Sequence, residues 1–143
     1  VFDSVPQVDP VSARERYLAV YEATQKGLIT ACHDCSDGGL AVALAEMSLG
    51  GRLGADLELA AAPVHPERLP LLARLYAESA SRLVATVRPE NQAAFEALFA
   101  GQFFGLLGRV TPGPDFTLRM GGTAVLSLSV EEMARAFKAP LNW

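Results

Sequence analysis

Hydrophobic and polar positions along the chain change period several times, and each change marks an element. Asp9-Pro10 reads as a cap followed by proline at the first helical position. Tyr17, Leu18, Val20, Tyr21 and Thr24 then recur on a helical face until Gly27 closes it. Gly27 to Cys32 is a short apolar run of the kind that forms a buried strand, and Leu40, Ala43, Leu44 and Met47 return to helical spacing until Gly50-Gly51 stops them. Ala55 to Leu59 alternates apolar and acidic residues as a half-buried strand does, and Ala60 to Pro66 reads as a linker with His65 at the surface. Leu69, Leu71, Leu72, Leu75 and Tyr76 form a helical pattern that begins near Pro70.

The second half continues the alternation. Ser81 to Val87 is a strand, Pro89-Glu90-Asn91 opens a helix carrying Phe95 and Leu98, and Phe103 to Val110 reads as the next strand. Thr111 to Pro114 is a turn, Phe116 to Met120 and Thr123 to Leu128 form a hairpin across Gly121-Gly122, and Ser129 to Phe137 is a last helix with Val130, Met133, Ala134 and Phe137 on one side. Strands separated by helices early and a hairpin late predict an α+β fold, a mixed sheet covered by helices with a ferredoxin-like core. A doubly wound parallel sheet fits less well, because the hairpin contradicts a purely parallel order.

Composition narrows the partners. The chain has 143 residues, half of them hydrophobic, which suits one folded domain over residues 11–143 and excludes intrinsic disorder. A net charge of -4 without a basic run leaves no electrostatic footprint for nucleic acid or an anionic membrane. No apolar stretch approaches the roughly 18 residues of a membrane span, and the start lacks the features of a signal peptide, so the expected compartment is the cytoplasm. An opening on Val1 and the proline-bearing segment to Pro10 is expected to be a linker from a preceding domain of a longer chain.

The candidate chemistry is concentrated at His33-Asp34-Cys35-Ser36-Asp37-Gly38-Gly39-Leu40, where the apolar run gives way to a helix. The first N–H groups of a helix lack internal partners and carry the positive end of its dipole, so such a turn suits an anion, most often phosphate. Asp34, at the end of the strand, could hold magnesium beside it, and Gly38 and Gly39 could let a ligand approach the backbone. Helix capping by Ser36 or Asp37 explains the same residues without a ligand. Cys32 and Cys35 form a C-x-x-C pair, yet Cys32 belongs to the apolar run and is expected to be buried and inert, with no structural disulfide. A second polar cluster, Glu78-Ser79-Ala80-Ser81-Arg82, offers a carboxylate, hydroxyls and a guanidinium, or simply a solvated loop.

His33 to Met47 resembles the H-D-x-S-D-G-G-L-x-x-x-L-x-E-M signature of the last domain of phosphoribosylformylglycinamidine synthase. Glu78 to Val84 is similar to that family's E-S-x-S-R-x-V, and Phe104 to Val110 to its glycine-bearing strand. The resemblance implies the C-terminal domain of the aminoimidazole ribonucleotide synthase superfamily. It also implies an ATP-dependent reaction in purine biosynthesis, in which formylglycinamide ribonucleotide and ammonia from glutamine give the amidine. In that chemistry ATP activates the formyl amide oxygen before ammonia attacks.

An end at Asn142-Trp143 resembles the small form, which draws ammonia from a separate glutaminase subunit through a small accessory subunit. Carried over by position, Asp34 would bind magnesium, and Ser36, Asp37, Gly38 and Gly39 would lie against nucleotide. Glu78, Ser79, Ser81 and Arg82 would face substrate, although Ala80 departs from the glutamine usual in the family's first copy. No catalytic residue is assigned to this segment. The alternatives are a structural or docking module of the same enzyme, or a domain of another ATP-dependent superfamily member.

Overall fold

The computed structural model describes residues 7–64 and 69–141, so His65 and the first six residues lie outside the described set. It is an α+β structure containing a mixed sheet. Two compact units form within it, the first made of the chain up to Ala43 together with Leu71–Phe104, the second of Leu44–Pro70 and the chain from Gly105 onward.

In the first unit, α1 (Pro10–Gln25) starts where the sequence places it, because the Asp9 carboxylate accepts the N–H groups of Val11 and Ser12. It ends at Gly27, with φ 66°, where Gly27 N–H donates to Thr24 O and Leu28 N–H to Ala23 O, a Schellman arrangement. The buried positions of α1 are Ala13, Ala19 and Ala23, while Tyr17, Leu18 and Tyr21 stay exposed. Small residues let α1 approach α4 (Gln92–Leu98) closely, and Ala19, Ala23, Leu28 and Phe99 make a core that Val20, Ile29, Phe95 and Leu98 flank. Phe95 and Phe99 stack at a tilt, their ring centroids 4.6 Å apart.

Strands β1 (Ile29–Asp34) and β3 (Leu83–Val87) pair antiparallel in a two-stranded sheet, with a register shift between Ile29 and Ala31. Helix α2 (Gly39–Gly51) follows the glycine turn and buries Leu40 and Ala43. Helix α3 (Leu71–Tyr76) begins just after Pro70, as the fixed φ of proline favours.

The second unit holds a four-stranded sheet in the order β4-β2-β5-β6. Its strands are β2 (Gly54–Glu58), β4 (Gly108–Thr111), β5 (Asp115–Met120) and β6 (Thr123–Ser129). The β2–β5 pair is parallel and the other two are antiparallel, which makes this sheet mixed. The predicted strand from Phe103 is shortened to Gly108–Thr111, preceded by a single backbone bond from Glu58 N–H to Leu107 O; Gly105 instead packs so tightly on Ala61 O that a Cβ would lie 2.2 Å from it. The β5–β6 hairpin turns through Gly121 and Gly122, both at positive φ, as a two-residue type I′ turn requires. Phe116, Leu118 and Leu59 are the largest fully buried side chains, and α5 (Val130–Lys138) starts in a capping box between Ser129 and Glu132.

Candidate functional site

A cleft of about 420 Å³ opens in the first unit, with both polar clusters of the sequence on its walls. Asp34, Cys35, Ser36 and Asp37 form one wall, Glu78 to Leu83 the other, and Tyr17 of α1 contributes as well. The sheet explains the meeting: β1 and β3 are antiparallel neighbours, so the residues after β1 and those before β3 emerge at the same end. Cys35 N–H extends the ladder by one bond, donating to Arg82 O at 2.9 Å.

Two glycines let the chain leave that ladder and enter α2. Gly38 and Gly39 have φ of 78° and 61°, the left-handed region that side chains disfavour. A Cβ on Gly39 would lie 2.8 Å from Leu75 O and 2.9 Å from the Tyr76 carbonyl carbon, so the absent side chain admits the end of α3. The close approach expected for a ligand is thus made at Gly39 by the protein's own backbone. Glu78 Oε1 accepts the Gly38 N–H at 3.0 Å, and Ser36 O accepts the Gly39 N–H at 2.9 Å. Two donors that the turn would otherwise offer to an anion are therefore engaged within the unit.

Side-chain donors stand among the lining residues. Ser36, Ser79 and Ser81 supply hydroxyls, and Arg82 supplies a half-buried guanidinium. Arg82 Nη1 donates to Arg74 O at 3.1 Å, whereas Nη2 is buried without a hydrogen-bond partner among the described residues. A buried donor left without an acceptor is costly, and an anionic oxygen is its natural complement. Burial, helped by the neighbouring Arg74 charge, lowers the Arg82 pKa from its ordinary value.

Asp34 is exposed at the end of β1, and its pKa is lowered chiefly because the Ser36 hydroxyl hydrogen-bonds its carboxylate. His33 Nδ1 lies 3.5 Å from Asp34 Oδ1 and adds a smaller effect of the same sign. An ionised, solvent-facing carboxylate fits a magnesium ion that takes its remaining ligands from phosphate and water. Among the described residues no cluster of three or more His, Cys, Asp or Glu could hold a metal by protein ligands alone. The donor set therefore fits a metal–phosphate pair better than a bare ion.

The cysteines reverse the expected burial. Cys32 is exposed and Cys35 is buried at 3%. The apolar run suggested burial at Cys32, but among the described residues β1 pairs only with β3, and much of this ribbon is uncovered; the chain turns inward at Cys35. Desolvation holds the Cys35 thiol above its ordinary pKa despite the opposing Arg82 charge. Both are free thiols, and three residues of extended chain separate their Cα atoms by about 10 Å, too far for a disulfide.

The site also includes residues that periodicity hid. Tyr17 and Arg16 read as helix residues, yet both reach Ser81, 64 and 65 positions away. The signal available in the sequence was a large aromatic beside an arginine on a helix whose buried positions are all alanine.

The fold and the cleft define the class. Residues 2–121 match the model for the AIR synthase related protein, C-terminal domain, and the chain belongs to that family. A curated relative, phosphoribosylformylglycinamidine synthase subunit PurL of Synechococcus sp. (strain WH7803), is 37% identical over 141 residues, covering 95% of this chain and 18% of the relative. The same subunit of Moorella thermoacetica is 37% identical over 135 residues, covering 93% of this chain and 18% of its own length. The chain thus spans less than a fifth of these relatives. Among solved structures, Thermotoga maritima PurL complexed with ATP superposes with a TM-score of 0.81 at 22% identity, over 93% of this chain and 23% of that one. Its complex with FGAR gives the same score over 92% of this chain and 22% of that one, which establishes the shared fold.

Proposed function

We propose that this chain is the C-terminal domain of the synthetase subunit of phosphoribosylformylglycinamidine synthase. The whole enzyme would carry out ATP-dependent formation of an amidine from formylglycinamide ribonucleotide in purine biosynthesis. The observation that carries this reading is the cleft itself, where the Asp34–Asp37 turn and the Glu78–Arg82 loop share one space and are tied by the Glu78–Gly38 hydrogen bond. The names and bound ligands of the PurL relatives support it.

Within that reading Asp34 holds magnesium, and Ser36 and Asp37 lie against the nucleotide, while Gly38 and Gly39 shape the turn that presents them. Ser79, Ser81 and Arg82 offer donors to anionic oxygens of the ligand, while Glu78 serves first to hold the turn. Magnesium, when bound, would neutralise phosphate charge beside the Asp34 carboxylate. The remaining domains of the chain supply the catalytic groups. The partners are a separate glutaminase subunit and a small accessory subunit, consistent with the PurLQS assembly of Thermotoga maritima. The described residues include no helix long and apolar enough to cross a membrane; the setting we infer is cytoplasmic.

A structural reading is favoured by one observation, the engagement of the Gly38 and Gly39 N–H groups by protein acceptors. Ammonia-dependent ADP release by the full-length chain, supplied with formylglycinamide ribonucleotide, separates the two. Asp34→Asn is expected to reduce release sharply at matched folded concentration. Equal release in both proteins would leave this domain as scaffold, and absence of substrate-dependent release from wild type would overturn the synthase assignment.

A further inference from the structure

Two consecutive side chains of α1 converge on one residue of the cleft wall. Arg16 Nη1 donates to Ser81 O at 3.2 Å, and Tyr17 Oη lies 2.8 Å from Ser81 Oγ, where either hydroxyl can donate. Ser81 has φ 61°, one of two non-glycine residues in the left-handed region among those described. That conformation crowds Cβ against the backbone, and a serine keeps it only where its surroundings over-determine it. Here both of its polar oxygens are held from the same helix turn.

The consequence falls on the next residue. Arg82 leaves Ser81 to enter the β1–β3 ladder, its carbonyl accepting Cys35 N–H and its Nη1 donating to Arg74 O. The backbone angle at Ser81 therefore sets the direction from which the guanidinium reaches the cleft. Tyr17 also lines that cleft while remaining half exposed.

We propose that Arg16 and Tyr17 are positioning residues of the cleft, holding Ser81 left-handed so that the Ser81 hydroxyl and the Arg82 guanidinium are aimed at an anionic group of the ligand. This rests on the reading of the cleft as a nucleotide-binding site. It adds two residues, outside both sequence motifs, on which the affinity of that site depends.

The test uses the full-length protein with ADP and magnesium as the probe. Binding is measured by calorimetry, global stability by melting, and local opening by hydrogen–deuterium exchange of the segment 77–83. Tyr17→Phe is expected to weaken binding about three- to tenfold, the effect of one lost hydrogen bond, and to accelerate exchange in that segment while leaving the melting temperature almost unchanged. Arg16→Met is expected to change both readouts in the same direction.

Unchanged affinity in Tyr17→Phe, with wild type binding the probe, overturns the proposal. If wild type binds no probe, the nucleotide reading fails and the aim at a ligand fails with it. The exchange measurement then still judges the clamp: unaltered exchange in Tyr17→Phe removes that too.

Discussion

The Glu78 carboxylate accepts the N–H of Gly38 at 3.0 Å across forty positions of sequence, joining the two polar clusters that line the cleft. The bond makes the loop before β3 a cap for the turn that opens α2. It replaces, with a distant side chain, the local capping that Ser36 or Asp37 could have supplied.

Removing that cap should loosen the turn. Glu78→Ala is expected to destabilise this chain by about 0.5–1 kcal/mol, the lower range for a hydrogen bond because the group is solvent-exposed. Glu78→Gln keeps an acceptor at the same place and should cost less. Urea unfolding of the two variants, with amide exchange at Gly38, checks the order; equal losses would remove the capping role.

Glycine at 39 is required for space as well as for φ. Gly39→Ala would press a methyl group against Leu75 O and Tyr76, backbone that cannot rotate away, and should cost about 2–4 kcal/mol from crowding and left-handed strain together. Gly27→Ala is the control, since its φ is 66° but nothing lies within 4 Å of the added carbon. It should cost about 1 kcal/mol, the backbone part alone. Thermal unfolding of the pair separates the two contributions, and equal losses would mean that the contact with α3 yields freely.

Acid stability should depend on Glu58. Its carboxylate accepts the N–H groups of Ala60, Gly121 and Gly122, which hold its pKa below its ordinary value. A folded pKa lower than the unfolded one stabilises the fold above the unfolded value and is lost as pH falls through the folded value. Stability of the second unit is therefore expected to decline below about pH 4.5. Glu58→Gln should flatten that decline while lowering stability at neutral pH. Urea midpoints measured from neutral to acidic pH decide it, and an unchanged acid limb in the variant would exclude Glu58 as its source.

Most element positions were legible because their signals are local. Asp9-Pro10 before α1, Gly27 after it, Pro70 before α3, Gly121-Gly122 between β5 and β6, and the Ser129–Glu132 box each act within a few residues. The motif from His33 to Gly39 was legible for the same reason, since a strand, a double-glycine turn and a helix follow one another directly. Burial was less so: the pattern favoured Cys32, and the uncovered face of a two-stranded ribbon placed Cys35 inside instead.

By itself the sequence determined the α+β alternation, the turn chemistry and the residue types available to the cleft, because propensity, capping and periodicity depend on near neighbours. Only the tertiary structure decided that Glu78 would take the Gly38 N–H, that Gly39 would admit α3, and that Arg16 and Tyr17 would hold Ser81. It likewise decided that β2 would run parallel to β5. Each of these joins residues tens of positions apart, and which distant groups meet is set by how β1 and β3 register and how the elements pack, geometry that no local pattern encodes.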